Sequence, residues 1–433
     1  MIDLRGWPTF LGLIATLVLT ASSIDAAAQN QGDARFGIGL PIGLEDLPPG
    51  RTRDHLNTLS PAAQARALRW LQRFDFSDHD LDHIRIDNEG GVLYADSFDF
   101  GEPEGVDGNN SGPTSVSPIT SVDEAFSLHS RPGAPHILFL DFDGHVINGT
   151  AWNSGNNTLY ARAFDIDGDA NSYDQGELDR IGEIWHRIAE DLAPFDIDVT
   201  TEEPAVFNRS TGRVLITEDT DETGAAMPYQ GYGGVAYVGV WGYSNMQYYQ
   251  PALVYFDNLG SGYPPFVSEA STHEAGHNLN LSHDGRDGEN AEGYYYGHGS
   301  GYVSWAPIMG VGYDNNVTQW SRGEYTDANN QQDDLAILDG LLGARPDDHI
   351  DAVAGATALY VDGAGTISAT NPETDPGNAL TDNKGVIENR DDVDMFAFSA
   401  GPGLATLSVT PAVGRVLSQR PARRQFGRSG GAL

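Results

Sequence analysis

The sequence predicts an α/β (α+β) fold, in which short strands alternate with helices over residues 135–345. Three observations carry this reading. His136–Leu140 is a short apolar run that ends on Asp141, as a buried strand does. Ile181, Ile184, Trp185, Ile188 and Leu192 recur at helical spacing within Glu177–Leu192. Phe195–Thr200, Arg213–Thr217, Gly234–Trp241 and Pro251–Phe256 are further strand-like runs bounded by turn residues. A chain of 433 residues accommodates two or three domains, and 39% hydrophobic with 10% aromatic residues excludes a wholly disordered one.

At the N-terminus, Arg5 precedes the apolar run Phe10–Leu19, and Ala26-Ala27-Ala28 supplies small residues for cleavage. This reads as a signal peptide over residues 1–28, which implies a secreted or periplasmic protein without a stable membrane anchor after cleavage. Residues 29–100 form a small unit. Ser60-Pro61 opens a helix through Ala65, Leu68, Leu71 and Phe74, and Val92-Leu93-Tyr94 follows the Gly90-Gly91 turn as a strand. Residues 101–134, rich in Gly, Pro, Ser and Asn, read as a linker. A folded unit and linker behind an export signal suggest a propeptide, with an attached N-terminal domain as the alternative.

The chemistry concentrates in Thr272-His273-Glu274-Ala275-Gly276-His277, followed by His283-Asp284. On a helix, His273 and His277 share a face and can aim two imidazoles at one ion. Glu274 lies beside them, where a general base can take a proton from water at the metal. His283 would face away on a continuing helix, so the chain must turn between the second and third histidine. Asn280 stands where that turn requires positive φ, and asparagine tolerates the left-handed region better than most residues. Three imidazoles and an open position suit a catalytic Zn2+. The chain has no cysteine, so neither thiolate ligation nor a cysteine cap is available. A carboxylate or another side chain of the N-terminal unit is left to silence a precursor.

His273 to His283 resembles the extended zinc motif of the metzincin metallopeptidases. The Asn278-Leu279 pair and Asp284 make it most similar to the adamalysin (reprolysin) branch. Asn280 and the absence of cysteines point to a bacterial-type relative. The resemblance implies a zinc endopeptidase with His273, His277 and His283 as ligands and Glu274 as general base. It also implies a twisted mixed sheet, an active-site helix, Asp284 supporting the turn, and a methionine turn at Ile308-Met309-Gly310. The cleft would lie beside an edge strand, for which Pro251–Phe256 is the candidate. Tyr313, four residues after Met309, reads as structural.

Other segments carry two readings each. Asp165, Asp167 and Asp169, with Glu177 beyond, have the spacing of hard oxygen ligands for Ca2+, with a solvated acidic loop as the alternative. Ile137–Gly144 resembles the nucleophile strand of haloacid-dehalogenase phosphatases, with Asp141 and Asp143 in the two acidic roles. That alternative needs a lysine, and Lys384 is the only one. Residues 346–413 suggest a partial β-sandwich-like domain, similar to prepeptidase-type modules, with strands in Asp391–Phe398 and Leu404–Val409. Residues 414–433 form a basic tail, either native or a reading-frame artefact. Lys and Arg number 24 against 62 Asp and Glu, a net charge of −38, which argues against nucleic-acid partners; the metzincin resemblance implies a protein or peptide substrate.

Overall fold

The computed structural model describes residues 35–399, apart from 38, 40–41, 98–118, 154–156, 289–290, 362, 364–365 and 368–382. The signal segment, the basic tail and the expected strand Leu404–Val409 lie outside the described residues. No described helix is long and apolar enough to cross a membrane.

The N-terminal part begins with β1 (Arg35–Gly37), followed by α1 (Arg51–Thr58) and α2 (Pro61–Leu71). The Ser60 hydroxyl accepts from the Ala63 N–H (3.2 Å), and Pro61 needs no donor at the first helical position. β2 (Asp75–Ser77) pairs with β1. β3 (Ile84–Ile86) and β4 (Val92–Asp96) then form a hairpin.

The expected linker includes folded structure within residues 119–134. α3 (Val122–Ala125) follows Ile119, and Ile119, Ala125 and Leu128 are buried in the main core. Next come β5 (His136–Asp141), a small antiparallel pair of β6 (His145–Ile147) with β7 (Leu159–Ala161), and α4 (Gln175–Asp191). A reciprocal capping box of Asp174 and Glu177 starts α4. β8 (Ile197–Thr200), β9 (Thr211–Thr217), β10 (Gly234–Tyr237) and β11 (Ala252–Tyr255) precede α5 (Pro264–Asn278). α5 starts three residues before the expected Val267 because Pro264 and Pro265 fit a first helical turn. A parallel pair, β12 (Trp305–Pro307) and β13 (Val317–Gln319), leads to α6 (Asp334–Leu342).

The seven-stranded mixed sheet has the order β3-β4-β10-β11-β9-β5-β8. β11, β9, β5 and β8 are parallel, whereas β10, β4 and β3 join by antiparallel pairing. Pro251–Phe256 is therefore not an edge. β11 lies between β9 and β10, and β10 would be the margin if the N-terminal hairpin were absent.

Alternation along the strands divides two cores. Val214, Ile216, Ala252 and Val254 join Ile181, Ile184, Trp185, Val267 and Ala270 of α4 and α5. Leu215, Leu253, Tyr255, Val235 and Tyr237 join Leu56, Trp70, Leu71, Phe74 and Phe76 of the N-terminal part. The latter is thus built into the sheet and its core.

In the C-terminal part, β14 (Thr357–Ala358) and β15 (Phe396–Ala397) form one short parallel pair. Among the described residues of 346–413 there is no further strand, so the expected sandwich is not seen there.

Candidate metal centre

α5 is buried along its length, which places His273, Glu274 and His277 inside the protein rather than on a solvated face. The helix ends as the sequence requires. The Asn280 N–H donates to His277 O (2.9 Å), the Leu281 N–H donates to Gly276 O (3.0 Å), and Asn280 has φ +75°. This is a Schellman closure with asparagine in the left-handed position. It reverses the chain and returns His283 to the face of His273 and His277.

The three imidazoles converge through Nε2. His283 Nε2 lies 3.1 Å from His277 Nε2. A fourth group completes the cluster: Asp96, the last residue of β4. Its Oδ2 is 3.2 Å from His277 Nε2 and 3.6 Å from His273 Nε2, and its Oδ1 is 3.2 Å from His283 Nε2. All four residues are at most 2% exposed. Together they form a buried group able to hold a metal ion.

The residues fit such an ion on two grounds. Two Nδ1 atoms already bond an acceptor, Ile308 O for His273 (2.9 Å) and Leu281 O for His277 (2.9 Å), while His283 Nδ1 lies 3.0 Å from Asp80 Oδ1 as an ion pair. A proton held at Nδ1 aims the Nε2 lone pairs of His273 and His277 into the centre, an arrangement that a shared cation relieves. The separations also suit a tetrahedral shell, whose edge is about 3.3 Å for ligands about 2.0–2.1 Å from zinc. Burial holds the His277 imidazole down at about 4. At His283 burial opposes the charge, but Asp96 and Asp80 outweigh it and raise the group to about 9.

Glu274 is fully buried, and neither carboxylate oxygen has a hydrogen-bond partner. Burial and then the Asp96 charge push its pKa well up. It packs against Gly234 at the start of β10, where an added Cβ would stand 2.0 Å from Oε1. Met309 is buried beneath the helix, and a Cβ on Gly276 would come within 2.5 Å of its sulfur. The flanking backbone binds the site on both sides: Ile308 O accepts from His273, and Met309 O accepts from the Asp284 N–H (2.8 Å). Asp284 thus supports the turn through its backbone, while burial raises its carboxyl to about 8. Tyr313 is buried edge-on against Phe266 (5.1 Å), consistent with a packing role.

Four residues escape the sequence reading: Asp80, His83, Asp96 and Tyr294. The Tyr294 hydroxyl donates to Asp96 Oδ1 (2.7 Å) and accepts from His83 Nδ1 (2.9 Å). Tyr94, two residues before Asp96, stacks on His277 at 4.3 Å. With 62 acidic residues in the chain, nothing local distinguishes Asp80 or Asp96.

The other acidic candidates fare differently. Asp165, Asp167 and Glu177 lie close enough to share a cation. Asp169 is not among them, because its carboxylate accepts from the Asn171 N–H (3.4 Å) and the Ser172 hydroxyl (2.9 Å). Asp141 is 1% exposed and paired with Arg213, whose guanidinium also donates to His145 Nδ1 (2.7 Å). A carboxylate so engaged is poorly available as a nucleophile. The Lys384 carbonyl accepts from His349 Nε2 (2.6 Å) in the C-terminal part. Comparison with protein-family models, with curated proteins and with solved structures yields no match to this chain.

Proposed function

We propose that the chain is a secreted zinc endopeptidase of metzincin type, and that Asp96 keeps it latent. The observation that carries this reading is the convergence of three buried imidazoles on one point, with a carboxylate from a different part of the chain in the fourth position. Zinc, when held by His273, His277 and His283, supplies Lewis acidity that polarises a peptide carbonyl and lowers the pKa of water.

The protein's own groups account for the rest. Glu274, one residue from the first ligand, takes the proton from the attacking water and delivers it to the leaving amine. Gly234 leaves room for that carboxylate. β10, starting at Gly234, is the natural partner for an extended peptide, which would pair with its backbone as an added strand. In the folded chain β4 occupies that place, pairing with β10 from Gly234↔Asp96 to Tyr237↔Leu93. The same strand thus covers the substrate edge and delivers Asp96 to the position that water needs.

Two variants test this reading through hydrolysis of a casein substrate. Asp96→Ala frees the fourth position and removes the anchor that holds the end of β4 at the centre, so it should raise the activity of the uncleaved chain by about tenfold or more, and adding Glu274→Ala should abolish the gain. Unchanged activity in Asp96→Ala with zinc retained would refute latency through Asp96. Hydrolysis surviving Glu274→Ala would refute the assigned base.

A further inference from the structure

A second group of carboxylates, sharing no residue with the histidine centre, lies where the two C-terminal segments meet. Asp347 and Asp348 come from one segment, and Glu388, Asp392 and Asp394 from the other. Their oxygens form overlapping triads, one of Asp347, Asp348 and Glu388 and another of Asp347, Asp392 and Asp394, with atoms within 4.8 Å of one another.

Glu388 separates this cluster from an ordinary acidic surface. It is 5% exposed, and neither of its carboxylate oxygens has a hydrogen-bond partner. Buried oxygens of Asp348, Asp392 and Asp394 also lack partners. The basic groups nearby do not neutralise the cluster: Arg390 binds Asp333 at 2.8 Å, and His349 Nε2 comes no nearer than 3.8 Å to Asp348 Oδ1. Asp348 and Asp392 each accept one backbone N–H on the other oxygen, from Val386 (3.3 Å) and Glu388 (2.9 Å), but the unpaired oxygens that face one another repel unless a proton or cation joins them.

We propose that Asp347, Asp348, Glu388, Asp392 and Asp394 bind one calcium ion. The donor set selects the metal. His349 stands beside the cluster, but its Nδ1 is engaged by Thr357 Oγ1 (2.8 Å) and its Nε2 by Lys384 O (2.6 Å). An all-oxygen, strongly anionic shell remains, which suits a hard cation. Calcium takes six to eight oxygens at about 2.3–2.6 Å, so opposite ligands lie about 4.8 Å apart and one ion can span overlapping triads. Magnesium demands a stricter octahedron and retains several waters.

The ion would join residues 346–361 to 383–399. Their only strand pairing is the two-residue match of β14 with β15, and the chain has no cysteine for a disulfide. Calcium would supply the missing cross-link.

Calorimetric titration of the full chain with calcium chloride, after dialysis against EGTA, tests the site. Binding should persist in Asp165→Asn/Asp167→Asn and weaken by about tenfold or more in Glu388→Gln/Asp394→Asn. No binding to the unmutated chain, or unchanged binding in Glu388→Gln/Asp394→Asn, would overturn the proposal. Limited trypsin digestion of the unmutated chain gives a readout independent of variant folding. Calcium should slow cleavage after Arg390 by about tenfold or more relative to EGTA. Equal rates would also overturn the proposal.

Discussion

Asn280 shows how much a single position contributes to the centre. At φ +75° it closes α5 and turns His283 back toward its partners. Asparagine tolerates this region at some cost, which glycine avoids. Asn280→Gly should therefore leave stability unchanged or raise it by up to about 1 kcal/mol, whereas β-branched Asn280→Val should lower it by about 1–2 kcal/mol. Denaturant midpoints of the two variants check this, and equal midpoints would contradict it. The turn was legible in the sequence because a third histidine six residues after the second cannot share a straight helix's face. His273, Glu274 and His277 were legible because fixed offsets along one helix encode them, whereas Met309 came only from the family resemblance. Asp80, Asp96 and Tyr294 reach the centre by tertiary folding alone. The Asp96 contact spans 181 residues to His277, and no local pattern encodes such a separation.

At the scale of elements, α4 followed its hydrophobic period, whereas α5, buried on all sides, has none, and strand neighbours were not legible. β11 reads as a self-contained apolar strand, and nothing within it says that β10 lies outside it. Its two-sided burial, with Ala252 and Val254 in one core and Leu253 and Tyr255 in the other, is the mark of an interior strand. The expected linker hid a second element-scale feature. His129 bridges to Thr200 of the edge strand β8, and its ring contacts Asp198 (2.7 Å) and Glu202 (2.8 Å). The hydrogen bond to Asp198, against burial and with help from Glu202, raises His129 from 6.5 to about 9. A raised histidine pKa gives stability that is full below the unfolded value and is lost as pH rises through the folded one. The melting temperature should therefore fall more steeply between about pH 6.5 and 9 in the unmutated chain than in His129→Gln. Parallel curves would show that the bridge contributes nothing.

Across the whole molecule, the sheet is covered on both faces, by α4 and α5 on one and by the N-terminal part on the other. Leu215, Tyr237, Leu253 and Tyr255 lie in the second core, so complete loss of residues 35–97 would expose a contiguous apolar face. Withdrawal of β4 alone would be enough to free both β10 and the fourth position of the centre. The division of labour is physical. On the proposed reading, α5 carries two ligands and the base, the reversed chain returns the third ligand, and β4, from another part of the sequence, closes the site.

Metal analysis of the purified chain separates a zinc centre from a purely structural histidine cluster. One zinc per chain is expected in the unmutated protein and in Glu274→Ala, and its loss in His273→Ala/His277→Ala. A folded, unmutated chain that takes up no zinc even when zinc is supplied would contradict the zinc centre.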